Sequence, residues 1–338
     1  MIRNFPLDYM HLICLGVVKK LIVSLWLGGK PGIKLSHHQV KTSSKSLVNH
    51  SSQIPSEFSR KPRSLDDAKR WKATEFRLFL FYLGPVVLQP VLDQDKYVHF
   101  ITLHVALSFL SNSKFANHYE YAESLLKYFV ETFMTLYGSE NVSHNIHNLL
   151  HLCDDVKYLG PIDQFSAFPF ENHMQKLKKL VRKGEKPLEQ ISRRIYEQER
   201  NFNNPQNCSQ TQYPQPSIEH SEGPLFSNVI NSKQYKKVEF SNYVLRTSEA
   251  DNCCYLQNNS VIIIKKFIAH EGEMKIIERK FINLENLYTS PCESSQLGIF
   301  ISSTPGPLQL WPLSQVAYKC MKLKLNHTFI TFPLLHLQ

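Results

Sequence analysis

The sequence predicts a mainly helical N-terminal domain followed by a small β-rich C-terminal domain. Three observations predict it. Apolar residues recur at helical spacing through roughly the first 200 residues (1–200), a stretch rich in Asn, Gln, Ser and Pro follows at 201–235, and short β-branched and aromatic runs fill 236–338. A length of 338 residues is ample for two cored domains, and 42% hydrophobic with 20% charged residues is an ordinary globular mixture. That mixture excludes a wholly disordered chain, a coiled-coil rod and a collagen-like fibre.

Residues 10–27 (MHLICLGVVKKLIVSLWL) predict the first helix, stopped by Gly28-Gly29. The longest apolar run near the start, 12–18, is closed by Lys19-Lys20 and is too short for a membrane span. Asp8 and His11 stand where the basic lead-in of a secretory signal would be, so a soluble chain with no membrane partner is expected. From 30 to 63 the chain turns polar and Ser-rich, which predicts a loop or mobile segment. A helix is predicted from Ser64, with Asp67 as its capping-box partner, to a stop at Gly84-Pro85. Further helices are expected over about 97–110, 118–137 and 142–153, the second carrying Leu125, Leu126, Phe129, Val130 and Phe133 before Gly138. The last runs from near Pro169 to before Gly184, with Phe170, Met174, Leu177 and Val181 as a stripe expected to be buried.

The Asn/Gln/Ser/Pro-rich stretch 201–235 reads as a linker. Beyond it VEFSNYVL, SVIIIKKFIA, EMKIIERKF, LGIFIS and HTFITFPLL are strand signals separated by turn residues. No internal repeat of solenoid length is visible. Thirty-nine Lys and Arg against 29 Asp and Glu leave a net charge of +10, which favours an anionic partner, nucleic acid being the commonest. Seven scattered cysteines without a C-x-x-C pair read as reduced thiols in an intracellular compartment.

Three features could carry chemistry. Asp8-x-x-His11 is the first. The second is His144, His147 and His151 in SHNIHNLLHL, where His147 and His151 lie one turn apart on one helix face and can reach one metal. The third is Glu171 in FSAFPFENHMQKLKKLVRKG, placed by Pro169 near a helix N-terminus, with Gln175, Lys178 and Arg182 along its face. Each has a plain alternative. The histidines suit a helix surface or a satisfied core, Glu171 suits a first-turn acid favoured by the helix dipole, and Lys176, Lys178, Lys179, Arg182, Lys183 and Lys186 suit a solvated face. By themselves these residues define a basic helical domain with a candidate His/Asp metal site, and no reaction.

The ordered blocks LDYMHLICLGVVKKL, RKPRSLDDAKRWKATEFRLFLFYLGPVVL and HNIHNLLHLCDDVKYLGPIDQFSAFPFENHMQKLKKLVRKGEKPLEQI resemble the carboxy-terminal half of CACTA-type (En/Spm-like) DNA transposases of the animal branch. SPCESSQLGIF and FPLLH resemble the tail of the same proteins, so the resemblance covers nearly the whole chain. It implies the helical insertion and final helix of an RNase H-like core whose central sheet is missing here. In that family three acids hold two divalent metals, Mg²⁺ or Mn²⁺, that activate the attacking oxygen and stabilise the leaving one. The resemblance puts Glu171 at the third acid. Glu75, in RWKATEFR, is its rival, with Trp71 one turn earlier matching an aromatic that helps hold DNA ends. Asp8 and His11 match a D-x-x-H motif after the second acid. His147 and His151 match a histidine pair resembling the zinc-binding arrangement of the V(D)J recombinase, so Asp8, His11, His147 and His151 are expected to form one structural Zn²⁺ site. The basic side chains after Glu171 are expected to meet DNA phosphates.

The departure from the family is at the start. The chain begins seven residues before the D-x-x-H motif, without the region of the first two acids or the upstream C-x-x-C, and Asp154-Asp155 stands in the wrong block to substitute. The expectation is a transposable-element-derived nuclear protein that binds DNA backbone and does not cut it as it stands. Two alternatives stay open: a fragment of an intact transposase whose catalytic half precedes Met1, and a domesticated, non-catalytic DNA-binding or assembly protein. Homo-oligomerisation is compatible with each.

Overall fold

The computed structural model describes residues 5–202, 213–223, 225–229 and 232–335. Its first helix, α1 (Met10–Leu27), has a mean hydropathy of 1.8 over 18 residues, long and apolar enough by length and composition to cross a membrane, and 61% of it is buried inside the protein. The helix expected over 10–27 runs through Lys19-Lys20, so the apolar stretch outlasts the seven residues 12–18. Wide turns, with the Lys19 N–H reaching back to Cys14 O, leave both lysines half-buried while Val17, Val18, Leu21 and Ile22 are buried.

The segment 30–63, expected as a loop, contains the helix α2 (His37–Asn49). Ser36 Oγ accepts from Gln39 N–H (3.3 Å) while Gln39 Oε1 accepts from Ser36 N–H (2.8 Å), a reciprocal cap. Its core-facing side is Ser43, Ser44 and Leu47, and the buried Leu65 N–H donates to Ser44 Oγ at 3.1 Å. Serines on a buried face hide a helix from hydrophobic periodicity.

Ser64 does begin a helical turn, but its hydroxyl accepts from Asp66 N–H (3.1 Å), whereas Asp67 pairs with Arg70. That short 3₁₀ turn, Leu65–Arg70, breaks before α3, which runs as contiguous pieces Ala73–Leu78, Phe79–Leu83 and Gly84–Val87. α3 therefore passes through the expected stop at Gly84-Pro85. The widened turn Phe79–Leu83, where Gly84 N–H bonds Phe79 O, takes up the proline. Gly84 also lets Phe100 approach, for a Cβ there would lie 2.4 Å from the Phe100 ring.

The remaining helices are α4 (Gln94–Leu110), α5 (Tyr119–Tyr137), α6 (His144–Asn148), α7 (Leu152–Leu159), α8 (Phe168–Leu180) and α9 (Pro187–Phe202). Gly138 and Gly160, both at φ +90°, end α5 and α7. α4 is the central helix, buried almost all round. α8 is the opposite: no residue in it is buried, and Phe170 is 73% exposed. The stripe Phe170, Met174, Leu177 and Val181, expected to be buried, is therefore corrected to a largely open face.

Among the described residues no strand precedes Gln215. The antiparallel sheet comprises β1 (Gln215–His220), β2 (Lys233–Glu239), β3 (Val244–Arg246), β4 (Cys253–Leu256), β5 (Val261–His270), β6 (Glu273–Ile282), β7 (Glu285–Asn286), β8 (Phe300–Ser302), β9 (Thr304–Pro312), β10 (Val316–Leu325) and β11 (Thr328–Pro333). The principal order is β1-β2-β5-β4-β10-β11-β8-β7, with β3 beside β2 and β6 between β5 and β9. The β region thus starts inside the stretch expected as a linker, of which 203–212 lie outside the described residues.

Helices and strands share one core. Met321, Leu323, Ile330, Phe332 and Leu335 join the cluster built by α1, α3, α4 and α5. His104 of α4 bridges Leu80 O (3.0 Å) and Tyr288 Oη (3.0 Å), its pKa lowered to about 4 by burial. The fully buried Lys319 of β10 donates to Glu57 (2.7 Å), which precedes Leu65–Arg70, and to Val244 O (2.6 Å) and Asp251. Burial raises the Asp251 carboxyl, but Lys319 and Ser56 outweigh it and hold the group below its usual range. The six cysteines among the described residues are free and buried.

Candidate functional site

The D-x-x-H motif and the FPFE block, far apart in the chain, meet at one corner. Asp8 Oδ1 accepts from the Ala167 N–H at 2.6 Å, one residue before α8, while Oδ2 accepts from the His11 N–H at 2.9 Å and contacts the His11 ring. Asp8 therefore caps α1 and pins the start of α8 with the same carboxylate. Phe168, the first residue of α8, is held between the Tyr9 ring (centroids 6.0 Å) and the Arg77 guanidinium (4.5 Å above the ring). From this anchor Glu171 stands exposed in the first turn, its N–H bonded to Ala167 O at 2.9 Å.

Beyond Glu171 the side chains of Lys176, Lys178, Lys179, Arg182, Lys183 and Lys186 are all exposed. They sit on a helical hairpin, α8 turning into α9, whose turn is pinned by Gln190. Its Oε1 accepts from Arg182 N–H (3.0 Å) and Lys183 N–H (3.3 Å), and its Nε2 donates to Lys183 O (2.9 Å) and Glu185 O (2.6 Å). Lys186 also faces Glu189 at 3.4 Å.

The rival acid and its aromatic lie elsewhere. Glu75 is 4% exposed and gripped by Arg63, Nε to Oε1 at 2.7 Å and Nη2 to Oε2 at 3.0 Å, with Lys72 N–H on Oε2 at 2.8 Å. Both carboxylate oxygens are engaged by the fold, so Glu75 reads as structural. Trp71, expected to face DNA, is 5% exposed and packs against Phe76 and Phe79 with centroids at 5.4 and 5.8 Å. Burial corrects that expectation.

The expected zinc ligands fall into two pairs. Asp8 and His11 are bonded to each other, and His147 and His151 stack edge to face with centroids 5.5 Å apart. Among the described residues no three His, Cys, Asp or Glu side chains converge as a metal site requires. Both Asp8 oxygens are already occupied by backbone N–H groups, and His151 opens onto a different groove from His147. A single zinc ion held by Asp8, His11, His147 and His151 does not fit this arrangement.

Two features of the corner escape the sequence. Asp155, set aside by its block, accepts the Leu7 N–H at 2.8 Å and so braces the residue before Asp8. Beneath Phe168, the buried Tyr9 and Cys14 and the half-buried Arg77 and Asp163 form a polar cluster. Burial pushes the Tyr9 hydroxyl and the Cys14 thiol up, the latter to about 12, and raises Asp163 against the opposing pull of Arg77. Tyr9 Oη has only the Cys14 thiol beside it, and Arg77 Nε has no hydrogen-bond partner. Only a bond spanning 148 residues, or a contact between α1 and α3, could reveal these roles.

Residues 219–334 match a family described as a domain of unknown function (DUF8592), which coincides with the β region. No curated protein and no solved structure matches the chain.

Proposed function

We propose that this chain is a transposable-element-derived, nuclear DNA-binding protein, resembling the C-terminal half of a CACTA-type transposase and contacting DNA through the α8–α9 hairpin. One observation carries the reading: α8 buries none of its residues, yet it is fixed at its base by Asp8 and presents six exposed Lys and Arg side chains along one projecting element. A cationic hairpin with a rigid base suits phosphate contacts, which need charge and position but no base-reading groups. The RNase H-like origin belongs to this proposal, with α8 as the final helix of that core and Glu171 as the family's third acid. Binding, not cleavage, is the activity proposed, because no metal-holding group of side chains converges among the described residues.

Fluorescence anisotropy of labelled duplex DNA against salt tests it. The expected affinity falls steeply with salt and depends little on sequence. Replacing Lys176, Lys178 and Lys179 with Gln lowers the log–log salt slope by about 2–3. An affinity unchanged from low to high salt, or a slope untouched by the triple substitution, refutes the reading. Glu171→Gln is expected to leave binding intact.

A further inference from the structure

The α8–α9 hairpin leaves apolar side chains open as well as basic ones. Phe170 and Met174 on α8 and Leu188 and Tyr196 on α9 are all more than half exposed. Nine Lys and Arg against five Glu in 168–202 make the hairpin cationic. On the helical body, α5 and the α6–α7 segment enclose a groove of about 770 Å³. Its lining includes Val130, Met134 and Leu150, with Glu120, Glu123 and Glu131 beside Lys127 and Lys157, the last paired with Glu123 at 2.6 Å. The surrounding segment 119–159 holds six carboxylates and two lysines, against a net charge of +10 for the whole chain.

We propose that this groove receives the hairpin of a second copy of the chain. The match is of charge, basic helix to the lining glutamates, and of apolar stripe to apolar lining, the arrangement of a helix laid in a groove. Length agrees too: α8, with 13 residues, spans about 20 Å and lies within the reach of the 19-residue α5. The chain's own hairpin is not the occupant. Its base is tied to Asp8 and stacked between Tyr9 and Arg77, and none of the groove-lining residues comes from α8 or α9. The hairpin's lysines are shared with the proposed DNA contacts, but the groove-side residues are not on the hairpin, so the groove variant separates this inference from DNA binding.

Sedimentation of the nuclease-treated full chain tests it, using two charge reversals at exposed positions. One variant carries Glu120→Lys, Glu123→Lys and Glu131→Lys; the other carries Lys176→Glu, Lys179→Glu and Lys183→Glu. The wild type is expected to self-associate, more weakly in high salt. Each variant alone is expected to associate at least about a hundredfold more weakly, as several like-charge contacts replace attractive ones. An equimolar mixture of the two is expected to associate again, because each variant then offers the charge the other needs. Far-UV circular dichroism of each variant guards against misfolding. The proposal is overturned by a wild type that stays monomeric, which is also what self-docking of the hairpin gives. It is equally overturned by a groove variant that associates like wild type, or by a mixture that stays monomeric.

Discussion

Glu278 lies in β6 opposite Ile264 of β5 and Gln309 of β9, fully buried, and neither carboxylate oxygen has a hydrogen-bond partner. The neighbouring Trp311 indole N–H donates to Gln309 Oε1 at 3.3 Å. Burial raises the Glu278 pKa to about 7, with Lys280 and Trp311 opposing it. From the ordinary 4.5 this shift corresponds to about 3 kcal/mol between the protonated and charged forms. The folded pKa lies above the unfolded one, so the stabilisation is complete below about 4.5 and is lost as pH rises through about 7. Glu278→Gln keeps the shape and removes the titration. Urea denaturation of both proteins between pH 4.5 and pH 8 isolates the effect, because other titrating groups cancel in the difference. The stability of the Gln variant relative to wild type is expected to rise by about 3 kcal/mol across that window. A difference that stays flat with pH would refute the assignment of an unpaired, buried carboxyl.

Three other outcomes follow from the geometry. Arg63→Ala leaves the Glu75 carboxylate buried beside only the Lys72 N–H and should destabilise the chain by about 3 kcal/mol in urea melts, less than a fully enclosed pair because Arg63 is partly exposed. Gly84→Ala drives a methyl into the Phe100 ring and should lower stability by about 1–3 kcal/mol, read as a lower melting temperature. Asp8→Ala frees the Ala167 N–H and should speed amide exchange across Phe168–Leu180 while α4 stays protected; equal loss in both would mean Asp8 supports the core and not the hairpin.

Much of the architecture is legible where a residue pattern has one physical solution. Leu125, Leu126, Phe129, Val130 and Phe133 repeat at helical spacing and are buried in α5, and glycine ends that helix at a φ that other residues rarely adopt. The β-branched runs become strands for the same reason. Patterns fail where polarity and burial part company. Serines line the inner face of α2, and the polar QPSIEH of β1 is an edge strand that reads as linker. An amphipathic pattern also says which residues share a face but not what covers it. Trp71, expected to face DNA, is in the core, and Phe170, expected in a buried stripe, is in solvent. The candidate corner is half legible on the same grounds. Its motifs are visible as blocks, while the bond from Asp8 to Ala167 joins residues whose separation hides any local signal.

The boundary suggested by composition is not a boundary in the packing. The region matching the DUF8592 family supplies Met321, Leu323, Ile330 and Phe332 to a core whose other walls are α1, α3, α4 and α5. It also supplies Lys319, whose ammonium has no exposure and whose carboxylate partners come from both sides: Glu57 from the helical region and Asp251 from the sheet. Removing the helical region would leave Lys319 with Asp251 alone, removing the sheet would leave Glu57 without its cation, and either would open apolar surface on the other. The helical body and the sheet therefore behave as one folding unit, and the projecting α8–α9 hairpin is the element set apart from it. Stability is thus concentrated where the sequence suggested a joint, and freedom where it suggested a buried stripe. That inversion is what leaves the basic hairpin available to a partner.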